Sequence, residues 1–429
     1  MQHLHQQLSV AQIVTWTMSI LLVAIFAALG VFMSRHANAL RTQAEVASVV
    51  ATPLATDTLH LPWVVNRARP LAARLGYGLT GPSLTRYNDW DALNAGWYLN
   101  WSVEVTPTIQ GGIAFAQVVR VHQRLACGVW RHSDREVCPY AEPHDYVFRP
   151  NAGVIVQAAQ ANPGALWMIG NEMDRRDWAY CRQWDGNHCL QVAYDGQDEM
   201  LPETYAVAFH DLAELIRSAD PSAKIAIGGV IQATPLRLAY LTSVWDAYLA
   251  RYGEPMPVDV WNVHNFILQE KRNSWGADTP PGALLEEGAH IGDTRTHIDM
   301  ARFAEQILAF RRWMKERGQQ EKPLIVSEYG VLYPNYLLGL PAHDGESIHD
   351  FMVATFDHFL HTRDCALGYP PDDCRLVQRW NWFSLDDHAG HFNPHGRLYD
   401  PETRQMLPAG DRFRIYMQAN LSLLVDGGF

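Results

Sequence analysis

The chain has 429 residues, 48% of them hydrophobic and 19% charged, which excludes a disordered protein and leaves room for a large core. A formal net charge of −12 and the absence of any basic run exclude a broad nucleic-acid surface. Tryptophan is frequent, at 15 residues, but its flat ring fills a core as readily as it stacks on a sugar, so composition leaves that choice open.

Residues 1–11 read as a short tail. Gln12 to Ser34 carries no charged side chain, and Ile13–Met33 supplies mainly apolar residues, enough at ~1.5 Å per residue to cross a bilayer. A transmembrane helix or signal anchor is therefore expected over 12–34. A long signal peptide is the alternative, because Ala37-Asn38-Ala39 fits a small-residue cleavage site. No Lys or Arg precedes the segment whereas Arg35 and Arg41 follow, so flanking charge does not set the orientation. Residues 35–74, rich in Ala, Thr and Pro without a clear period, read as a linker.

From residue 75 to 424 short apolar runs alternate with amphipathic segments. Strands are expected at Gly76–Thr80, Trp97–Val103, Ala116–His122, Leu166–Asn171, Ile225–Val230, Val258–Asn265, Leu324–Glu328 and Val377–Phe383. Helical stripes of period 3.6 run through Tyr205, Phe209, Leu212 and Ile216; through Met300, Phe303, Ile307, Phe310 and Met314; and through Ile348, Phe351, Met352, Phe356 and Phe359. Alternation of this kind makes an α/β protein with a parallel sheet. Eight strands favour a (β/α)8 TIM barrel, because the glycine-rich dinucleotide turn of an open doubly wound sheet is missing. The span exceeds the typical ~250 residues of such a barrel, so long loops are expected at 126–145, 175–200, 267–297 and 386–412.

The six cysteines form three sequence-local pairs, Cys127/Cys138, Cys181/Cys189 and Cys365/Cys374, each in a stretch readable as loop. Fifteen connectivities are possible; local pairing is the expectation and a zinc site its rival, although no C-x-x-C occurs. Disulfides belong to oxidising compartments. The folded domain is thus expected outside the cytoplasm, anchored in the membrane through residues 13–33, or secreted if that segment is cleaved.

Two apolar runs end in glutamate. Ala165–Ile169 gives way to Gly170-Asn171-Glu172-Met173-Asp174, and Pro323–Val326 gives way to Ser327-Glu328-Tyr329-Gly330. Residues at the carboxyl ends of barrel strands line the site, and two convergent carboxylates are what hydrolysis of a glycosidic bond requires. One must hold a proton for the leaving oxygen while the other stays ionised to attack the anomeric carbon. Glu172 is the candidate acid/base and Glu328 the candidate nucleophile. Asn171 is placed to bind the neighbouring sugar hydroxyl. Asn100, Trp101, Arg120, His122, His264, Tyr329 and Trp382 complete the expected substrate-binding set, Trp382 as the stacking ring being what the resemblance described next implies.

The fourth-strand Asn171-Glu172 and seventh-strand Glu328 resemble clan A of the glycoside hydrolases, whose members share a (β/α)8 barrel and retain anomeric configuration. Arg379-Trp380-Asn381-Trp382-Phe383 resembles that clan's tryptophan-bearing eighth strand, and Gly96-Trp97-Tyr98-Leu99-Asn100-Trp101 is similar to a run of the glycosyl hydrolase catalytic-core family, which includes small β-1,3-glucanases. Gly396–Asp400 and Leu407–Gly410 are similar to the closing segment of many such enzymes. The resemblance implies an O-glycoside hydrolase that needs no cofactor and no metal, takes a carbohydrate substrate and acts as a monomer. One departure stands out: His264-Asn265-Phe266 replaces the clan's strand-six His-x-Tyr, so Phe266 brings no hydroxyl to the nucleophile, and Tyr329 or His264 would have to orient it. A non-catalytic carbohydrate-binding barrel is the first alternative. A metal-dependent barrel hydrolase using His388, His391 and His395 is the second. Asn100-Trp101-Ser102 and Asn420-Leu421-Ser422 are formal glycosylation sequons.

Overall fold

Each apolar run predicted to be a strand forms one in the computed structural model, which describes residues 71–387 and 392–420. The apolar segment at 12–34, the linker to residue 70, His388, His391 and the last residues of the expected domain lie outside the described residues. Among the described residues, no helix is long and apolar enough to cross a membrane.

The strands are β1 (Leu75–Gly78), β2 (Trp97–Leu99), β3 (Ala114–Gln123), β4 (Tyr146–Arg149), β5 (Leu166–Ile169), β6 (Trp178–Asp185), β7 (His188–Asp195), β8 (Lys224–Ile227), β9 (Trp261–His264), β10 (Leu324–Gly330) and β11 (Arg379–Phe383). Eight of them pair in the order β8-β5-β3-β2-β1-β11-β10-β9, and every pairing along that path is parallel. Parallel bridges Ala226↔Val260 and Val230↔Val263 bring β9 back to β8. The result is an α/β barrel, closed most loosely at that seam.

Period-2 alternation sorts the side chains into two cores. Trp97, Leu99, Ala116, Val118, Leu166, Met168, Ala226, Val260 and Ile325 fill the barrel interior. Their outward neighbours, including Trp167, Ile169, Ile225, Ile227, Trp380 and Trp382, pack against the helices. Each large side chain fully buried this way contributes roughly 1.5–3 kcal/mol. The helices follow the expected stripes. Pro202–Ala219 starts on a proline, whose missing N–H falls where a helix has no acceptor for it, and buries Tyr205, Phe209, Leu212 and Ile216. Met300–Glu316 is capped by the Asp299 carboxylate, which accepts the N–H groups of Ala301 and Arg302.

One predicted loop is built as sheet. Residues 175–200 fold into the β6–β7 antiparallel hairpin, turning through Gly186-Asn187 between the paired residues Asp185 and His188, with glycine at the first turn position. β4 adds antiparallel to β3 outside the ring. The three local disulfides form as paired in sequence: Cys127–Cys138, Cys181–Cys189 and Cys365–Cys374. Their presence fits an oxidising compartment.

Candidate active site

At the carboxyl ends of the strands opens a cavity of about 240 Å³, with Glu172 and Glu328 in its wall. The chain leaves β5 through Gly170, at φ +89°, where an added Cβ would fall 2.9 Å from Met173 and 3.2 Å from Val121. This turn swings Asn171 and Glu172 inward; Glu172 itself sits at φ +52°. Behind it, Asp174 is buried against Arg237 (3.1 Å), which also pairs with Glu270 (3.0 Å), so the loops after β5 and β9 are tied together. Burial pushes the Asp174 carboxyl up to about 6. On the opposite side, the β9–β10 register shifts between Val326 and Glu328 and sets Glu328 beside His264.

One carboxylate oxygen of Glu172, one ring nitrogen of His264 and one carboxylate oxygen of Glu328 lie within 4.8 Å of one another. His264 Nδ1 is 2.8 Å from Glu172 Oε1, and its Nε2 is 3.8 Å from Glu328 Oε2. Arg175 donates to Glu172 Oε2 at 3.0 Å, and Trp101 Nε1 donates to Glu328 Oε2 at 2.8 Å. Burial alone would raise the Glu172 pKa, but the Arg175 guanidinium and His264 hold it below the ordinary carboxylate value. At Glu328 burial prevails over His264 and, with the facing Glu172 charge, pushes it up to about 7. His264 resists charging because it is buried, yet Glu328 and Glu172 on either side raise its pKa. The three groups titrate together, with the fields favouring the ionised form of Glu172 and the protonated forms of Glu328 and His264.

These three side chains are also a candidate cation-binding set among the described residues. Their oxygens already receive N–H groups from Arg175 and Trp101, and the Arg175 charge competes directly with a metal ion. Of the histidine loop, His395 is described, and its Nε2 lies 3.0 Å from the Ala342 carbonyl.

The other expected site residues divide. Trp101 and Asn171 line the cavity, with Asn171 Nδ2 donating to Gln197 at 3.0 Å. Arg120 lines it too, held by Asp198 at 2.7 Å, which together with the charges of Glu172 and Glu328 outweighs the cost of its burial and raises its pKa. His122 is not among the lining residues: it is fully buried in the barrel wall, 3.1 Å from Asp177. Asn100 is spent on a local turn, accepting from the Ser102 hydroxyl (2.7 Å) and donating to Glu104. Tyr329 points outward, its hydroxyl accepting from Thr355 at 3.3 Å. Trp382 is buried among Tyr329 and Phe356, with Nε1 donating to the Gly396 carbonyl at 2.7 Å. It cannot be the stacking ring, because alternation along β11 sends 380 and 382 to the helices. Phe383, one residue on, faces the cavity with Phe266 and Phe392. Sequence reading also missed Arg175, Gln197 and Thr80 in the lining; only Arg175, three residues beyond Glu172, carried a local signal.

Trp101 holds its place because β1 makes room for it. A Cβ on Gly78 would fall 2.6 Å from the indole ring. Its N–H reaches Glu328 from the second strand, where the resemblance had led to a tyrosine hydroxyl from the sixth. A second cavity of about 190 Å³ opens at the amino ends of the strands, but its acids are engaged structurally, Asp372 with Arg74 at 2.5 Å and Asp259 with Arg217 at 2.9 Å.

Fold and site together describe a parallel α/β barrel with two acids at the carboxyl-terminal mouth. No family model matches the chain and no curated protein matches it. Among solved structures it is similar to a GH128 (subgroup II) endo-beta-1,3-glucanase from Sorangium cellulosum, at 13% identity and TM-score 0.44 over 80% of this chain and 97% of the other. It is similar to a GH128 (subgroup VII) oligosaccharide-binding protein from Trichoderma gamsii, at 11% identity and TM-score 0.43 over 82% and 97%. Endoglucanase Cel5A from Thermotoga maritima follows at 12% identity and TM-score 0.40 over 83% and 99%.

Proposed function

We propose that the chain is a retaining O-glycoside hydrolase acting on a neutral polysaccharide or oligosaccharide by double displacement. The observation that carries this reading is the approach of Glu172 and Glu328, with His264 between them, to within 4.8 Å in one cavity. Retaining enzymes hold their two carboxyl groups roughly 5–5.5 Å apart, whereas inverting enzymes leave about 6.5–9.5 Å for a water. Glu328 attacks the anomeric carbon and forms a glycosyl ester while Glu172 protonates the departing oxygen. Glu172 then takes a proton from water, whose oxygen displaces Glu328 and releases the sugar.

The fields of the free site favour ionised Glu172 and protonated Glu328, the reverse of what the first step needs, so substrate must shift that balance. A leaving oxygen placed against Glu172 Oε2 displaces Arg175, the strongest influence lowering Glu172. Burial then raises Glu172 and it takes the proton. With the Glu172 charge gone, Glu328 loses its repulsive neighbour and ionises beside His264 and the Trp101 N–H. The barrel works outside the cytoplasm, tethered through residues 13–33 or released if that segment is cleaved, and as a monomer.

A mechanism-based fluorinated sugar tests the chemistry. Covalent label on Glu328 supports the reading, and label on Glu172 reverses the two roles. Turnover of wild-type rate in Glu172→Gln or Glu328→Gln would contradict it, since loss of general acid–base catalysis alone costs about 10²–10⁴-fold. A non-catalytic sugar-binding barrel is the second reading, favoured by the full engagement of both Glu172 oxygens and by Phe266. It predicts sugar binding without label.

A further inference from the structure

We propose that the β6–β7 hairpin is a docking ribbon for a neutral polymeric glycan, continuing the sugar site beyond the cavity. The proposal deepens the reading above and rests on it for the identity of the ligand. The hairpin stands outside the barrel cores and displays Trp178 (38% exposed), Tyr180 (47%) and Trp184 (62%). Several large apolar side chains exposed on one short ribbon mark a binding surface more often than a single exposed one does. The Cys181–Cys189 disulfide ties the two strands, so the rings sit on a braced ribbon rather than a free loop.

Three observations select a glycan as the occupant. First, both strands of the hairpin spring from the cavity wall. Arg175, just before β6, and Gln197, just after β7, line the cavity, and the Arg175 guanidinium lies 5.4 Å from the centre of the Trp178 ring. The ribbon is thus continuous with the place where a sugar would be cut. Second, the cavity is small. At about 240 Å³ it falls below the usual ~300–1,000 Å³ of ligand pockets and has room for little more than one ring, so recognition of a longer chain must lie outside it. From Trp178 to Trp184 the strand runs about 20 Å at ~3.3 Å per residue, longer than a single sugar. Third, the ribbon is amphipathic and its charges, Arg182, Asp185 and Asp195, are of mixed sign. Trp178 and Tyr180, two apart, present their rings on one side, and the cross-strand pair Gln183↔Gln191 places uncharged amides beside them for hydroxyl groups. The net charge of −12 opposes an anionic membrane or an acidic partner.

The test uses the full chain carrying Glu328→Gln, so that binding is read without turnover, with and without Tyr180→Ala/Trp184→Ala. Depletion onto insoluble neutral β-linked polysaccharide particles (glucan, xylan, mannan, galactan) is measured beside uptake by phosphatidylcholine vesicles. The expected result is at least a tenfold rise in Kd for one of the polysaccharides in the double-alanine protein, restored in Tyr180→Phe/Trp184→Phe, with vesicle uptake the same in all three. The phenylalanine protein also shows whether a loss comes from the flat rings or from a damaged hairpin. Equal polysaccharide binding in all proteins, no polysaccharide binding at all, or a loss confined to vesicles would overturn the proposal. Since no bond is cut in this assay, a barrel that binds without hydrolysing passes or fails on the hairpin alone, and covalent labelling of Glu328 separately decides the chemistry.

Discussion

Replacing Trp101 with phenylalanine removes one N–H while keeping an aromatic ring in the space left by Gly78. That N–H donates to Glu328 Oε2 at 2.8 Å in a buried site. A hydrogen bond to a charged group is worth about 1.5–3 kcal/mol, and one pKa unit equals about 1.36 kcal/mol, so its loss raises the Glu328 pKa by roughly one to two units. The direction follows from the donor, which favours the ionised carboxylate; burial, which already pushes Glu328 up to about 7, then acts with less opposition. If Glu328 is the nucleophile, it must be ionised in the transition state. The form with Glu328 ionised and Glu172 protonated should become about 10- to 100-fold rarer, so kcat/KM should fall by that factor, and the alkaline limb of its pH profile, where the pair loses its one proton, should move to higher pH. The assay is the pH dependence of hydrolysis of one short glycoside by the parent and Trp101→Phe. An unmoved alkaline limb with kcat/KM unchanged would refute the argument. A fall in kcat/KM at every pH without a shift would assign Trp101 to sugar contact instead.

Glu328 also carries a stability prediction. Its folded-state pKa, about 7, lies above the ordinary 4.5, so its stabilising contribution is fully present below about 4.5 and is lost as pH rises through about 7. Glu328→Gln should accordingly melt higher than the parent at pH 8, by an amount on the order of 3 kcal/mol at most, with the gap closing near pH 4.5; a lower melting temperature at pH 8 counts against the assigned direction. Arg237→Ala strands Asp174 and Glu270 in the interior and should cost about 3–5 kcal/mol in urea unfolding, while a cost near zero would mean that water reaches these acids. Trp382→Phe should lower stability by about 1 kcal/mol through the lost bond to Gly396 and leave KM unaltered, whereas Phe383→Ala should raise KM. The reverse pattern would restore Trp382 as the ring that meets the sugar.

The barrel was legible because its evidence is local and periodic. A buried parallel strand is a short apolar run, its helix a 3.6-period stripe, and eight alternations leave few ways to cover both faces of every strand. Glu172 and Glu328 were legible for a related reason: each interrupts an apolar run where the strand ends. The neighbours of those acids were harder. Tyr329 and Trp382 each sit one step from a cavity residue, Glu328 and Phe383, and that single step of alternation turns them to the helices, while His122 shares the face of Arg120 and is taken up by Asp177 inside the wall. The β6–β7 hairpin passed for loop because nearly every one of its side chains is exposed and no buried face marks it.

Sequence by itself determined the parallel α/β architecture and the two strand ends that bear the acids, since each is written in contiguous residues. Only the tertiary structure decided which groups touch those acids. Arg175, His264 and Trp101 reach them from three different segments, and the resulting fields pull the Glu172 pKa down while burial pushes that of Glu328 up. A pKa depends on burial and on charges a few ångströms away in space, and the chain order of the contributing residues carries no record of those distances.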